Sequence, residues 1–135
     1  MPLEDIPIIK ADDEPLSGNA PVLLREIAEH VRSLVESGEA TAIDLQALPL
    51  TPGDRTWLKT QLGQGEIAIT LQAEGESTLN ETNCPGVWWV THHNEKGAVA
   101  SEFIEITQVP ELVKAHTEDI KIGLEHLEFL ISDLS

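Results

Sequence analysis

The sequence is poor in cysteine, in aromatic residues and in basic residues. It has one cysteine, Cys84, no tyrosine, and 8 lysine and arginine residues against 24 aspartate and glutamate residues. A single cysteine excludes an internal disulfide framework and a four-cysteine zinc or cluster site within one chain. The formal net charge of −16 repels phosphate backbones and anionic lipid, so we expect neither a nucleic-acid nor a membrane partner.

Long apolar runs are also missing. No stretch approaches the roughly 20 apolar residues that a membrane-spanning helix needs, and no basic start followed by an apolar segment indicates a secretory signal. We therefore expect a cytoplasmic protein. With 135 residues, of which 41% are hydrophobic and 24% charged, the chain has the size and composition of one globular domain.

The start of the chain differs in composition from the rest. It contains several prolines and an acidic run, which is typical of a flexible arm, although Ile6, Ile8 and Ile9 could dock on the body as an extended segment. We therefore predict an N-terminal arm over residues 1–20 and a single domain over residues 21–135.

Helices are predicted on both sides of a group of strands. Apolar residues at helical spacing predict a first helix over about residues 21–37, which ends at Gly38. Thr51 and Asp54 have the spacing that starts a second helix. A last helix with an apolar side is expected after residue 117.

Strand patterns fill the middle of the chain. Alternating apolar residues predict strands at about 67–72 and 87–93, with a return strand at 99–107 after a turn at 94–97. A threonine-rich stretch at 77–83 is typical of a weak or edge strand, which could pair with a second copy or with a client strand. This order predicts an α+β fold, an antiparallel sheet of about four to five strands with helices packed mainly on one face.

The hairpin over 87–107 is apolar on both sides. Trp88 and Trp89 are adjacent, and adjacent strand residues point to opposite faces of a sheet. The predicted turn pairs Trp88 with Phe103 and Trp89 with Glu102. Two interpretations stay open: a central hairpin that is covered on both faces, or a hairpin on which one tryptophan anchors a partner.

Enzyme-like chemistry has little support in the sequence. His92 and His93 are adjacent on a strand and diverge, and no paired metal-ligand spacing accompanies them. Cys84 precedes a Pro85–Gly86 bend, and acidic neighbours such as Glu81 disfavour a reactive thiolate. We predict no catalytic residue, metal or other cofactor, and keep Cys84 and His92 only as side chains that could contact a ligand.

Four short motifs carry a family resemblance. The most distinctive is Glu-Thr-x-x-Pro-Gly-Val-Trp at 81–88, which the hairpin turn separates from Glu-Phe-Ile-Glu at 102–105. Leu-Pro-Leu-Thr-Pro at 48–52 and Leu-Gly-Gln-Gly-Glu at 62–66 precede them. Together, over about residues 22–130, these motifs resemble the C-terminal conserved domain of the HupH/HyaF/HoxQ family of nickel–iron hydrogenase accessory proteins.

The resemblance implies a non-enzymatic chaperone that binds a hydrogenase precursor, in particular the iron–sulfur small subunit, and that works with other maturation factors. Small-subunit precursors typically carry a twin-arginine leader, which an acidic protein would attract. A second interpretation is a carrier of a metal, cluster or small ligand in the same pathway, with a pocket near Cys84 and His92. An enzyme is a third, and the sequence is also compatible with a homodimer.

The docking surface is expected on the hairpin and on the bend before it. A covered aromatic such as Trp88 would anchor the client, while acidic side chains would steer the encounter. The residues predicted to bind protein are Glu81, Thr82, Pro85, Gly86, Val87, Trp88, Trp89, Phe103 and Glu105.

Overall fold

The computed structural model describes residues 15–134, which form three α-helices and five β-strands. Most of the predicted arm, with Ile6, Ile8 and Ile9, lies outside the described residues. The elements are α1 (Asn19–Ser37), β1 (Thr41–Asp44), α2 (Pro52–Leu62), β2 (Ala68–Gln72), β3 (Glu76–Glu81), β4 (Val87–His93), β5 (Val99–Ile106) and α3 (Thr117–Ser132), with 3-10 turns at Leu45–Ala47 and Glu111–Val113.

The five strands form one antiparallel sheet in the spatial order β1-β5-β4-β3-β2, which confirms the predicted α+β class. β3 lies between β2 and β4 and pairs with both, so the prediction of an edge strand at 77–83 is wrong. Its polar composition was misleading because only one side of it is packed: Leu79 is buried, while Thr78 and Asn80 line an open groove on the other side.

Local signals position the helices on the sheet. At the end of α1, Gly38 has a φ of 75° and its N–H donates to the Leu34 carbonyl. At the start of α2, the Thr51 hydroxyl accepts from the Asp54 N–H, and the Asp54 carboxylate accepts from the Thr51 N–H. This reciprocal cap satisfies two N–H groups that a helix start leaves free. The predicted end of α1 at Gly38 and the predicted start of α2 at Thr51 are confirmed, whereas α1 begins at Asn19, two residues before its predicted start.

Two apolar clusters lie on opposite faces of the sheet. We call the face of the sheet against which α1 and α2 pack the Trp89 face, and the opposite face the Trp88 face. Trp88 and Trp89 thus point to opposite faces, as predicted. On the Trp88 face, Leu79, Trp88 and Val90 are buried beside Ile69, Leu71 and Phe103. The main core on the Trp89 face contains Leu23, Ile27, Leu45, Leu58, Leu62, Val87, Trp89, Ile104 and Ile106.

The register of the central hairpin differs from the predicted one by two residues. Trp88 pairs with Glu105 and Trp89 with Ile104, so the predicted pairings with Phe103 and Glu102 are wrong. The turn is one residue longer than expected, and a bulge next to His92 adds a second residue. Because the total shift is even, each side chain keeps its predicted face of the sheet.

The last helix stands apart from this arrangement. Within residues 15–134, none of the 16 residues of α3 is buried, and no described element covers the apolar side that the sequence predicts. None of the helices within residues 15–134 is long and apolar enough to cross a membrane.

Candidate protein-binding surface

The motif at 81–88 contains the bend between β3 and β4, and hydrogen bonds of Thr82 hold this bend. The buried Thr82 hydroxyl donates to the Val87 carbonyl at 2.9 Å and accepts from the Cys84 N–H at 3.1 Å. Gly86 has a φ of 89°, a backbone conformation that favours glycine. Thr82 and Gly86 therefore shape the bend, and the structure gives them this role whether or not a partner binds there.

The bend is fastened to the end of α2. The Asn83 N–H donates to the Leu62 carbonyl at 2.9 Å, and the Gly65 N–H donates to the Glu81 carbonyl at 2.8 Å. A Cβ atom on Gly65 would lie 2.4 Å from the Thr82 carbonyl oxygen, so only glycine allows this approach. The motifs at 62–66 and 81–88, separate in sequence, thus form one structural unit.

Both tryptophans of the hairpin are buried, with 3% of Trp88 and 5% of Trp89 exposed. The Trp88 indole N–H donates to the Thr107 carbonyl at 3.1 Å, and the Trp89 indole N–H donates to the Glu102 carboxylate. This placement favours the interpretation of a hairpin covered on both faces. So little of either ring is exposed that neither offers a client much contact area, although Trp89 borders an open groove.

Beside Trp89, a network that the sequence did not indicate connects α2 to the sheet. The Glu102 carboxylate accepts from Arg55 at 2.9 Å and from the Thr91 hydroxyl at 3.3 Å. The Lys59 ammonium lies 4.9 Å from the Trp89 ring centroid. A groove of about 620 Å³ opens next to this network, and the network's polar groups already have partners within the chain.

A smaller hollow on the Trp88 face combines an aromatic ring with acidic side chains. We call it the acidic hollow; its volume is about 400 Å³. The rings of His92 and Phe103 meet edge to face with centroids 6.0 Å apart, and the Ser77 hydroxyl lies 2.7 Å from His92 Nδ1. Its lining residues are Ala42, His92, Phe103, Glu105, Glu111, Leu112 and His116.

Glu105 is the unusual group of the acidic hollow. Burial raises the pKa of the Glu105 carboxyl, an effect that the nearby His92 opposes. Within the described chain, the Glu105 carboxylate accepts no hydrogen bond and forms no close ion pair, and its charged neighbour is His92. A half-buried carboxylate without a cation is unfavourable, and a basic group bound beside it would favour its ionised form.

Cys84 and His92 are not brought together. Cys84 is exposed at the bend, whereas His92 lies near the far end of β4, roughly 16 Å from Val87 at about 3.3 Å per residue. No group of three histidine, cysteine or acidic side chains in residues 15–134 is arranged to hold a metal ion. The prediction of one pocket near both residues is therefore wrong.

The residues predicted to bind protein fall into three places. Glu81, Thr82, Pro85 and Gly86 form the bend, and of these Pro85 is exposed. Val87, Trp88 and Trp89 are buried in the two apolar clusters. Phe103 and Glu105 line the acidic hollow together with His92. That these residues contact a partner stays a prediction.

Residues 18–134 match the family model described as HupH hydrogenase expression protein, C-terminal conserved region. The chain is 35% identical over 103 residues to the hydrogenase expression/formation protein HupH of Rhodobacter capsulatus, across 76% of this chain and 37% of the relative. It is 32% identical over 115 residues to the hydrogenase-1 operon protein HyaF of Escherichia coli strain K12, across 84% and 40%. The chain thus spans about two fifths of the length of these curated relatives.

A solved structure is also similar. The hydrogenase expression protein HupH from Thiobacillus denitrificans ATCC 25259 superposes with a TM-score of 0.84 at 55% sequence identity, over 88% of this chain and 99% of that chain. Sequence and fold therefore agree: the chain belongs to the HupH hydrogenase expression protein family, whose C-terminal conserved region it contains.

Proposed function

We propose that this protein is a non-catalytic accessory factor of nickel–iron hydrogenase maturation, a chaperone that binds a hydrogenase precursor in the cytoplasm. Family membership supports the accessory role, since the relatives are named hydrogenase expression/formation proteins. One structural observation carries the binding proposal. It is the carboxylate of Glu105, which forms no hydrogen bond or close ion pair within the described chain and lies half-buried beside Phe103 and His92 in the acidic hollow.

The chemistry of the acidic hollow suits an arginine side chain. A guanidinium group can stack on an aromatic ring such as Phe103 and pair with a carboxylate in a bidentate manner. Glu105 would supply that carboxylate. Glu111 borders the same hollow, and its carboxylate forms an exposed ion pair with Lys114 at 3.3 Å. The proposed client is the precursor of the iron–sulfur small subunit, bound through the arginine pair of its leader.

The charge of the whole chain assists this encounter. A net charge of −16 raises the rate at which a basic segment approaches, although exposed charge pairs add little to the final affinity. Affinity would come from the contacts with Glu105 and Phe103. Other maturation factors are proposed to join the precursor and this chain in a larger complex.

A non-catalytic role also agrees with the position of Asp54, the other carboxyl group whose pKa is shifted. The side chain of Asp54 is buried, and its oxygens accept hydrogen bonds from Ser17 and from the Thr51 N–H. This carboxylate fastens the start of α2 and has no free oxygen directed at a substrate. Asp54 is therefore a structural residue.

The test is calorimetric titration of the protein with a synthetic small-subunit leader peptide that contains its arginine pair. We expect binding that weakens with added salt, and about a tenfold loss of affinity for Glu105→Gln, since a hydrogen-bonded charge pair contributes roughly 1–2 kcal/mol. The matched control is Glu66→Gln, an exposed residue outside the hollow, which removes the same charge and should bind within about twofold of the wild type.

Two further measurements sharpen the test. A peptide with lysines in place of both arginines should bind more weakly, because an ammonium group cannot make the planar bidentate contact. Phe103→Leu keeps an apolar side chain but removes the ring, and should also weaken binding. If Glu105→Gln and Phe103→Leu bind the arginine peptide as the wild type does, the acidic hollow is not the binding site.

A further inference from the structure

α3 presents apolar side chains around most of its circumference. Within the helix, their exposed fractions range from 47% for Leu130 to 67% for Phe129, and Leu134 just after the helix is 85% exposed. The exposed apolar residues of this segment are Ile120, Ile122, Leu124, Leu127, Phe129, Leu130, Ile131 and Leu134.

Such a helix is not expected to persist uncovered. Isolated helices of this length are marginal in water, because most helix stability in proteins comes from packing of an apolar face. Monomeric proteins also rarely expose a continuous apolar patch larger than a few hundred Å². With about half or more of each side chain exposed, the patch on α3 approaches the roughly 800 Å² per partner of a standard interface.

The spacing of one apolar stripe fits a second copy of the same helix. Ile120, Leu124, Leu127, Ile131 and Leu134 follow one another at alternating steps of four and three residues, the spacing of a coiled-coil seam. A single stripe of this kind is complementary to itself when two copies are related by a two-fold axis.

Flanking charges select the direction of the pair. In an antiparallel pair with Leu124 opposite the partner's Leu127, Lys121 lies beside the partner's Glu128, and the two-fold axis repeats this contact. In a parallel pair, Lys121 would lie beside the partner's His116 and gain no carboxylate from the partner, keeping only its exposed contact with Glu118 of its own helix at 3.3 Å. Within one helix, Lys121 and Glu128 are two turns apart, about 10 Å, and cannot pair with each other.

Packing agrees with the same direction. The antiparallel register places Leu130 over the partner's Gly123. A Cβ atom on Gly123 would meet no other atom within 4 Å, so there is room for a large side chain at this point. We infer that the protein forms a two-fold homodimer through antiparallel pairing of α3 along the seam of Ile120, Leu124, Leu127, Ile131 and Leu134.

The direct test is sedimentation equilibrium of the purified full chain with no client present. The wild type is expected to be a dimer, and the double variant Leu124→Asp with Leu127→Asp a monomer. The matched control is Ile122→Asp with Phe129→Asp, on the opposite side of α3, which adds the same charges and keeps the dimer. Since α3 contributes nothing to the buried core, the tryptophan emission of each variant should stay native and exclude general unfolding.

Charge reversal tests the register. Lys121→Glu and Glu128→Lys each turn two attractive contacts into repulsive ones and should weaken the dimer about tenfold, while the double reversal should return within about threefold of the wild type. A wild-type chain that stays monomeric up to high concentration overturns the homodimer, even if α3 variants then lose binding to another protein. Failure of the double reversal to restore the dimer overturns the antiparallel register.

Discussion

The indole N–H of Trp89 donates a 2.8 Å hydrogen bond to the carboxylate of Glu102, whose other oxygen accepts from Arg55 at 2.9 Å. One carboxylate thus connects β4, β5 and α2. The Glu102 side chain is 8% exposed and that of Arg55 is 31% exposed, so the pair is largely shielded from water. Removing one member of a shielded pair leaves the other charge uncompensated.

Glu102→Gln should therefore destabilise the protein clearly. We expect a loss of about 2 kcal/mol in the free energy of unfolding, below the 3–5 kcal/mol seen for fully buried pairs because Arg55 is partly solvated. The melting temperature should fall by roughly 5–10 °C, measured by circular dichroism. Glu95→Gln in the exposed hairpin turn removes the same charge and should change stability by less than about 0.5 kcal/mol. Equal melting curves for both variants would show that the network carries no stability.

The cap at Asp54 predicts a pH-dependent effect. Burial raises the pKa of Asp54, but hydrogen bonds from Ser17 and Thr51 outweigh burial and hold its pKa below the ordinary value. The ionised carboxylate therefore adds stability above about pH 4, the unfolded-state value, and this stability disappears as the pH falls through the lower folded-state pKa. Asp54→Asn should cost about 1–2 kcal/mol at pH 7.

Urea titrations of Asp54→Asn at several pH values check this expectation. The difference from the wild type should narrow progressively once the solution is more acidic than about pH 4. Glu66→Gln serves as the control for the loss of one negative charge. A deficit that is the same at pH 7 and in acid would contradict the assignment of the effect to the ionised carboxylate.

Glu105 predicts the opposite dependence. Since burial raises the pKa of Glu105, this group favours the folded state below the unfolded-state pKa of about 4.3, and that contribution is lost as the pH rises through the folded-state pKa. Glu105→Gln should therefore raise the melting temperature at pH 7, by no more than about 3 °C for a half-exposed group. The gain should vanish near pH 4. A destabilised Glu105→Gln at pH 7 would indicate that the carboxylate has a favourable partner.

The contact between α2 and the bend predicts a glycine requirement. A methyl group on Gly65 would collide with the backbone of Thr82, so Gly65→Ala should cost about 2 kcal/mol or more. Gly97 also has a positive φ, of 85°, but a Cβ atom there meets nothing within 4 Å. Gly97→Ala should therefore cost only the conformational penalty, about 1 kcal/mol. Chemical denaturation of both variants decides the comparison, and equal losses would contradict the close approach.

The sequence was sufficient for features that depend on neighbouring residues. Capping chemistry accounts for the end of α1 at Gly38 and the start of α2 at Thr51. Strand geometry accounts for the opposite orientations of Trp88 and Trp89. These rules act over a few residues, so the composition of the segment determines the outcome.

Features that depend on distant residues were not accessible in the same way. The hairpin register differs from the predicted one because the turn is one residue longer and a bulge near His92 adds another residue, and nothing in the local composition requires a bulge. The pairing of Arg55 with Glu102 joins residues 47 positions apart. For α3 the apolar pattern was visible, but a pattern gives no information about which surface covers it.

The positions of the indoles allow the intrinsic tryptophan fluorescence to report on separate parts of the protein. It has three tryptophans and no tyrosine, so its near-ultraviolet fluorescence arises almost entirely from rings of known location. Trp57 and Trp89 belong to the cluster beneath the helices, whereas Trp88 belongs to the cluster on the other face. Spectra of a Trp88→Phe variant, subtracted from those of the parent chain, would separate the two halves of the interior. Unfolding of each half can then be followed in one cuvette, without an attached dye.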